Sequence, residues 1–128
     1  MVSTFPQNII IRGHANASEL MNAYQDAILL INTSDYEGIP LTFDEAWACE
    51  LPVVSLNVDP DGVITRHSLG FVSKTIDQMV KDIEYLCDDK HKTAELGLGC
   101  RDFVVKNHNI DIMAERINDI LYLLFVKT

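Results

Sequence analysis

The sequence predicts an α/β fold, in which helices cover both faces of a small parallel sheet in a Rossmann-like three-layer α/β/α arrangement. In the first half of the chain, short apolar runs alternate with helical patterns, and strands separated by helices favour right-handed crossovers between parallel strands. From residue 76 onward, apolar residues recur mostly at helical spacing, which makes the C-terminal half helix-rich. The length of 128 residues suits a single domain, residues 1–128.

Three strands are predicted, at residues 8–12, 27–31 and 52–56. The first is the run Asn-Ile-Ile-Ile-Arg, and all three are continuous apolar runs of the kind found in strands buried on both faces. In open α/β sheets, ligands bind beyond the carboxyl ends of the strands. The loops at residues 32–40 and 57–70 are therefore the expected functional loops.

Local signals predict two helices in the first half of the chain. Asn16, followed by Glu19 three residues later, forms a capping-box pattern that starts a helix with an apolar stripe through Leu20 and Tyr24. The second helix, over residues 44–49, has Pro40 near its first turn, where proline is well tolerated.

Three helices are predicted in the second half. Strong apolar stripes indicate helices over residues 76–87 and 110–124, and the second stripe is expected to face the core. A weaker pattern covers residues 91–106, where Gly97 and Gly99 each cost a helix about 1 kcal/mol relative to alanine.

Composition excludes several classes of protein. The net charge of −9 argues against general nucleic-acid binding, which needs basic surfaces. Three cysteines without a C-x-x-C pair indicate reduced thiols rather than a disulfide framework or a zinc site. The first residues lack the pattern of a signal peptide, and the longest apolar runs, at residues 27–31 and 121–126, are far shorter than the roughly 20 residues that span a bilayer. A cytoplasmic location is therefore expected.

The most informative stretch is residues 34–54, which reads as a strand end, a glycine turn, a helix start and another strand. The unpaired amides of a helix start near Pro40 favour phosphate oxygens, and Gly38 lets a ligand approach the backbone closely. Glu45 lies about five helical residues, or roughly 7–8 Å, from that start, which matches the span from a diphosphate to a ribose diol. Glu37 lies on the other side of the amides, where it can receive sugar hydroxyls. The stretch therefore predicts a site for a nucleotide sugar.

This stretch resembles family 4 glycosyltransferases of the two-domain GT-B fold, with a pattern like S-x-x-E-G-(F/I)-(G/P)-x4-E-A-x-A-C-G-x-P-V-V. The matching residues are Ser34, Glu37, Gly38, Pro40, Glu45, Ala46, Ala48, Cys49, Pro52, Val53 and Val54. The segment after Gly13-His14 and a glycine-containing loop at residues 69–72 are also similar to the family. The resemblance covers residues 8–126 and corresponds to the later part of the family's C-terminal, nucleotide-sugar-binding domain.

The resemblance implies transfer of a sugar from a nucleotide-diphosphate sugar to an unidentified acceptor, in polysaccharide or glycoconjugate biosynthesis. It implies retention of anomeric configuration, with no metal and no other cofactor. Glu37 would contact the donor sugar as the catalytic residue, the amides of Gly38, Ile39 and Leu41 would bind the diphosphate and sugar, and Glu45 would bind the ribose.

The resemblance also implies what the chain lacks. The family's diphosphate-binding Arg and Lys precede the matched region, and its acceptor site lies on an N-terminal domain. The chain is therefore expected to be a partial domain that is inactive alone, with that acceptor domain as its partner. Peripheral association of the full protein with a membrane is compatible with this class.

Two departures from the family pattern bear on structure. Glu50 replaces a glycine, so a left-handed backbone there would cost about 1 kcal/mol. Asp59 and Asp61 stand in a loop that usually contains Gly-Gly, where their charges would repel phosphate.

Other interpretations stay open at this point. Glu37 has an alternative role as a charge that favours the helix dipole, and Glu45 as an ordinary exposed carboxylate. At the level of function, the alternatives are a nucleotide-sugar epimerase of the GT-B type, a receiver-like signalling module and a domain that only binds a partner. A receiver needs an acidic cluster after its first strand, where this chain has Gly13 and His14.

Overall fold

The computed structural model describes residues 6–125. Two features of the sequence lie outside the described residues. They are the first five residues, which were searched for a signal-peptide pattern, and Val126, the last residue of the second apolar run. The strands are Leu30–Asn32 (β1), Val53–Ser55 (β2) and Gly70–Val72 (β3). The helices are Ala17–Asp26 (α1), Leu41–Ala48 (α2), Val63–His67 (α3), Ile76–Asp88 (α4), Lys90–Asn107 (α5) and Ile110–Phe125 (α6), and a 3-10 turn covers Pro60–Gly62.

The three strands form one parallel sheet in the order β1-β2-β3, which confirms the predicted small parallel sheet. The central strand β2 is buried on both faces. Val53 packs with Trp47 of α2 and Phe103 of α5, whereas Val54 packs with Met79 and Leu86 of α4. Helices therefore cover both faces of the sheet.

The predicted start signals place α1 and α2. Asn16 accepts a hydrogen bond from the Glu19 amide at 3.0 Å, and the Glu19 carboxylate accepts one from the Asn16 amide at 2.9 Å, which confirms the capping box. Helix α2 begins at Leu41, three residues earlier than predicted, and Pro40 is its N-cap. The helices α4 and α5 cover the predicted segments, and α5 continues through both glycines.

The predicted strand at residues 8–12 is wrong. Ile9, Ile10 and Ile11 are exposed, and Ile10 keeps 73% of its surface. A strand needs a neighbouring strand to take its backbone hydrogen bonds. Within residues 6–125, the backbone of this segment forms one such bond, from the Ile9 amide to the Pro6 carbonyl at 3.0 Å. The β-branched run therefore has strand propensity but no described strand beside it.

The edge strands differ from prediction as well. The strand expected at residues 27–31 forms later, as β1, and is half-exposed because it lies at a sheet edge, with Ile31 in solvent. The segment 69–72, predicted to be a loop, contains β3. Gly70 has a φ of 143° and lies so close to Val53 that a side chain there would overlap the Val53 carbonyl. A residue that usually disfavours strands is therefore required in this one.

The prediction that the stripe of α6 faces the core is also wrong. No residue described in α6 is buried, and its neighbour is α5. Ile117 and Leu121 are both exposed. The helical spacing was correctly interpreted, but no described residue of α6 belongs to either core cluster, and most of its apolar side chains are exposed.

Candidate functional site

The two loops expected to carry function meet at the carboxyl edge of the sheet. The Asn57 side-chain amide, after β2, donates to Asp35 Oδ1, after β1, at 2.9 Å. Lys74, which follows β3, reaches the Asn57 carbonyl with its Nζ at 3.4 Å. The segments that follow all three strands are therefore hydrogen-bonded to one another at this edge.

Glu37 is held close to the end of β1. The side-chain amide of Asn32 donates to Glu37 Oε1 at 2.8 Å, and Asn32 Oδ1 accepts from the Ser34 amide at 3.1 Å. Hydrogen bonds from Ser34 and Asn32 lower the pKa of the Glu37 carboxyl below its ordinary value. Glu37 is therefore an ionised acceptor at neutral pH, fixed by neutral donors.

The start of α2 is open to solvent. Pro40 has an extended backbone, and no side chain caps the helix. The Phe43 amide donates to the Pro40 carbonyl at 3.0 Å, whereas the amides of Leu41 and Thr42 have no partner within residues 6–125. Leu41 is 71% exposed, and a side chain at Gly38 would meet nothing within 4 Å. Of the donors predicted here, the Leu41 amide is therefore unpaired within the described residues, and the Thr42 amide joins it.

Glu45 is tied to α1 rather than to the loop that contains Glu37. The Tyr24 hydroxyl donates to Glu45 Oε2 at 2.9 Å. Burial, together with the Glu45 carboxylate, raises the pKa of Tyr24 to about 12, so this phenol stays protonated and keeps donating. Glu37 thus contacts the end of β1, whereas Glu45 contacts α1. Their roles toward a ligand stay predictions.

The two aspartates of the loop after β2 have different orientations. Asp59 accepts hydrogen bonds from the Ile64 amide at 2.8 Å and the Thr65 hydroxyl at 2.7 Å, so its charge is directed at the start of α3. Asp61 has a left-handed φ of 51°, and its carbonyl accepts a hydrogen bond from Arg66 Nη2. The repulsion of phosphate expected from both residues is therefore reduced for Asp59.

A cavity of about 190 Å³ lies beside the helix start, on the side of α2 away from Glu45. It is lined by Ile39, Pro40, Phe43, Asp44, Trp47, Pro60, Asp61, Val63, Arg66 and His108. His108 Nδ1 lies 2.8 Å from Asp44 Oδ1 and links the corner between α5 and α6 to α2. Sequence reasoning missed this cavity because its paired residues are 64 positions apart and share no local pattern. It also missed the contact of Lys74 with the Asn57 carbonyl, because residues 69–72 were taken for a loop.

Two properties of the described residues complete the site. Within residues 6–125, no group of three or more His, Cys, Asp or Glu side chains is placed to hold a metal ion. None of the helices in that part of the chain combines the length and apolar character needed to cross a membrane.

Comparison with known proteins identifies the family. The chain matches the family model of glycosyl transferases group 1 over residues 5–102. It is 24% identical over 114 residues to a poly(ribitol-phosphate) alpha-N-acetylglucosaminyltransferase of Staphylococcus aureus (strain COL), an alignment that covers 86% of this chain and 23% of that relative. No solved structure matches the chain. Because the family match covers most of its length, the chain belongs to the group 1 glycosyltransferases.

Proposed function

We propose that this chain is part of the donor-binding domain of a family 4, GT-B glycosyltransferase that transfers a sugar from a nucleotide-diphosphate sugar with retention of configuration. The observation that carries the proposal is the open start of α2, whose amides at Leu41 and Thr42 are unpaired within the described residues. Such a helix end is a site for phosphate oxygens.

In this proposal, the diphosphate of the donor lies over the start of α2. The amides and the helix dipole favour the negative charge that develops on the leaving diphosphate during transfer. Gly38 and Ile39 leave room for the approach, since a Gly38 side chain would meet nothing and Ile39 is exposed. The helix start thereby lowers the barrier for departure of the diphosphate.

The two glutamates hold the two ends of the donor. Glu37, ionised and fixed by Asn32, accepts hydrogen bonds from the hydroxyls of the transferred sugar. Glu45 accepts from the ribose diol with the oxygen that Tyr24 does not bind. Tyr24 is the positioning residue for Glu45, a role that the sequence did not suggest.

The substrates are proposed by class. The relative's name gives N-acetylglucosamine as the sugar transferred and poly(ribitol phosphate) as the acceptor. By analogy, a nucleotide-linked hexose or hexosamine and a glycan or polyol acceptor are proposed for this protein, without metal and in the cytoplasm. No observation favours the epimerase, receiver-like or binding-only alternatives.

The test uses the full-length protein that carries this chain, with Glu37→Gln, Glu45→Gln and the control Glu115→Gln on the exposed helix α6. Loss of a hydrogen bond to a charged group is worth about 1.5–3 kcal/mol, so Glu45→Gln should raise KM for the nucleotide sugar about 10- to 100-fold. Glu37→Gln should mainly lower kcat, and the control should behave as wild type.

KM and kcat are measured from the release of the nucleotide diphosphate and the formation of the glycosylated acceptor. The anomeric configuration of the product is identified by NMR. Wild-type kinetics in both glutamate variants would refute the proposed site. Measurable transfer by the 128-residue chain alone would refute the expectation that this chain is a partial domain without activity of its own.

A further inference from the structure

A pair of ionisable side chains lies beside the start of α2. His108, at the corner between α5 and α6, places its Nδ1 2.8 Å from Oδ1 of Asp44, which lies in the first turn of α2. The two side chains are 37% and 29% exposed, so water and salt screen their charges only in part. Asp44 and His108 line the same cavity as Ile39 and Pro40, which lead into the helix start. The pair is therefore close enough to act on a charge bound at that start.

The Asp44 carboxylate opposes a diphosphate at this place. Asp44 lies three residues after Leu41, which is about 4.5 Å along the helix axis. A carboxylate in the first turn stabilises the helix through the helix dipole. The same negative charge repels an anionic ligand that approaches the helix start, and it adds to a chain whose net charge is already −9.

The imidazole of His108 can cancel that charge. A neutral histidine with its proton on Nδ1 and a protonated histidine both donate a hydrogen bond from Nδ1. The contact with Asp44 is therefore kept in both states, and protonation only removes the net negative charge of the pair. Histidine is the side chain that ordinarily changes its charge between about pH 5 and 8. The helix start thus becomes more favourable for an anion as the pH falls through that range.

The other charged groups around His108 do not share this behaviour. Carboxylates, guanidinium groups and lysine ammonium groups ordinarily keep their charges between about pH 5 and 8. The groups of these kinds are Asp61 and Arg66, which line the same cavity, and Lys106 and Asp111 along its own corner. Lys106 pairs with Asp102 at 2.7 Å.

A second histidine lies near the pair and provides a control. The exposed His67 of α3 packs on Phe103, with 4.7 Å between the ring centroids, and His108 packs on the same ring at 5.2 Å. His67 does not line the cavity and does not contact Asp44. A dependence on pH that comes from the pair should therefore not require His67.

We propose that His108 is a positioning residue for the donor, which acts through Asp44: when protonated, it neutralises this carboxylate and strengthens binding of the nucleotide diphosphate at the start of α2. The inference rests on the proposed function and adds regulation by pH to the same site.

The size of the effect follows from one unit charge. A phosphate oxygen that accepts a hydrogen bond from the Leu41 amide lies about 3 Å beyond it, and so roughly 8 Å from the pair. One unit charge acting on both charges of a diphosphate diester at that distance changes affinity about 5-fold in a medium like water. Salt lowers this value and partial burial raises it, so we expect a change of about 3- to 10-fold.

The experiment uses the full-length protein that carries this chain. Isothermal titration calorimetry measures Kd for UDP-N-acetylglucosamine, GDP-mannose and ADP-glucose at about pH 6 and about pH 8. The phosphates of these probes are diesters, so they carry the same charge at both pH values. We expect a probe that binds to do so about 3- to 10-fold more tightly at the lower pH. Binding should also take up protons, which makes the measured heat depend on the ionisation enthalpy of the buffer.

Two variants separate the charge of the pair from its structural contact. His108→Gln can still donate a hydrogen bond to Asp44 but cannot neutralise it, so it should bind at both pH values as weakly as the wild type at about pH 8. Asp44→Asn removes the carboxylate and should bind at about pH 8 as tightly as the wild type at about pH 6. A pair that only stabilised the fold would weaken binding in both variants.

The control His67→Gln should keep the wild-type dependence on pH, and circular dichroism at each pH checks that every variant is folded. Four results would overturn the role of His108 and leave the donor site intact. These are equal affinity at the two pH values, a dependence on pH that persists in His108→Gln or disappears in His67→Gln, and weaker binding by Asp44→Asn. If the wild type binds none of the three nucleotide sugars at either pH, the proposed function itself fails, and the role of His108 fails with it.

Discussion

Helix α5 packs on the end of α2 at a position where it has no side chain, and this contact can be tested by adding one methyl group. Gly97 faces the backbone of Glu50, which follows α2 with a left-handed φ of 63°. In a Gly97→Ala variant, the new Cβ would overlap the Glu50 carbonyl oxygen and lie 3.0 Å from its carbonyl carbon. Carbon atoms pack best at about 3.5–4.0 Å, so α5 and α2 would have to separate by at least roughly 0.5 Å.

The magnitude follows from two opposing effects. Alanine in place of glycine within a helix stabilises it by about 1 kcal/mol. Overpacking by one methyl group in a tight contact costs about 1–3 kcal/mol, and the upper part of that range applies where the obstacle is backbone, which cannot rotate away. Gly99 lies in the same helix, and a side chain there would meet nothing within 4 Å. Gly99→Ala therefore gains the stability that alanine gives a helix, without the cost of overpacking.

We therefore expect Gly99→Ala to be more stable than wild type by about 1 kcal/mol and Gly97→Ala to be less stable than Gly99→Ala by about 1–3 kcal/mol. The free energy of unfolding is measured by urea titration, followed by circular dichroism and by the fluorescence of Trp47. If both alanine variants gain the same stability, α5 does not pack on Glu50 as described.

Two further predictions use the perturbed side chains. The pKa of Tyr24 is raised from 10.0 to about 12, so its contribution to folding is complete below pH 10 and is lost as the pH rises toward 12. In urea unfolding, Tyr24→Phe should lack this part of the decrease in the free energy of unfolding between about pH 10 and 12. If the free energies of unfolding of the variant and the wild type differ by the same amount at every pH, the assignment is wrong. Burial raises the pKa of the Cys100 thiol to about 12, whereas Cys87 is exposed. Iodoacetamide at about pH 8 should alkylate Cys87 and spare Cys100 in the native state, because the thiolate is the reactive form; equal rates by peptide mass spectrometry would contradict this.

Features with a local cause could be predicted from the sequence. Asn16 and Glu19 form a capping box because both partners lie within one helical turn. Glu50 was expected to be strained if its backbone is left-handed, and its φ of 63° confirms that conformation. The segments of α4 and α5 followed from apolar spacing, since side chains one turn apart share a face of a helix.

Features that depend on distant partners could not be predicted in this way. The β-branched residues 8–12 have the composition of a strand and do not form one, whereas residues 70–72 include a glycine and do, because they lie beside β2. Pairing is decided by which strands lie side by side, and propensity only modifies that choice. The contact between Tyr24 and Glu45 and the cavity closed by His108 likewise join segments that no local pattern connects.

The charge of the chain limits what the open helix start can do alone. A helix start carries about half an elementary charge and favours an anion by about 0.3–1 kcal/mol at the surface, rising to about 2 kcal/mol where partly buried. Since a tenfold gain in affinity requires about 1.4 kcal/mol, this effect raises affinity roughly 30-fold at most. The net charge of −9 and the ionised Glu37 oppose a diphosphate at the same place. A donor bound here therefore needs further cations near its phosphates, which is the role that the family resemblance gives to an Arg and a Lys preceding the matched region.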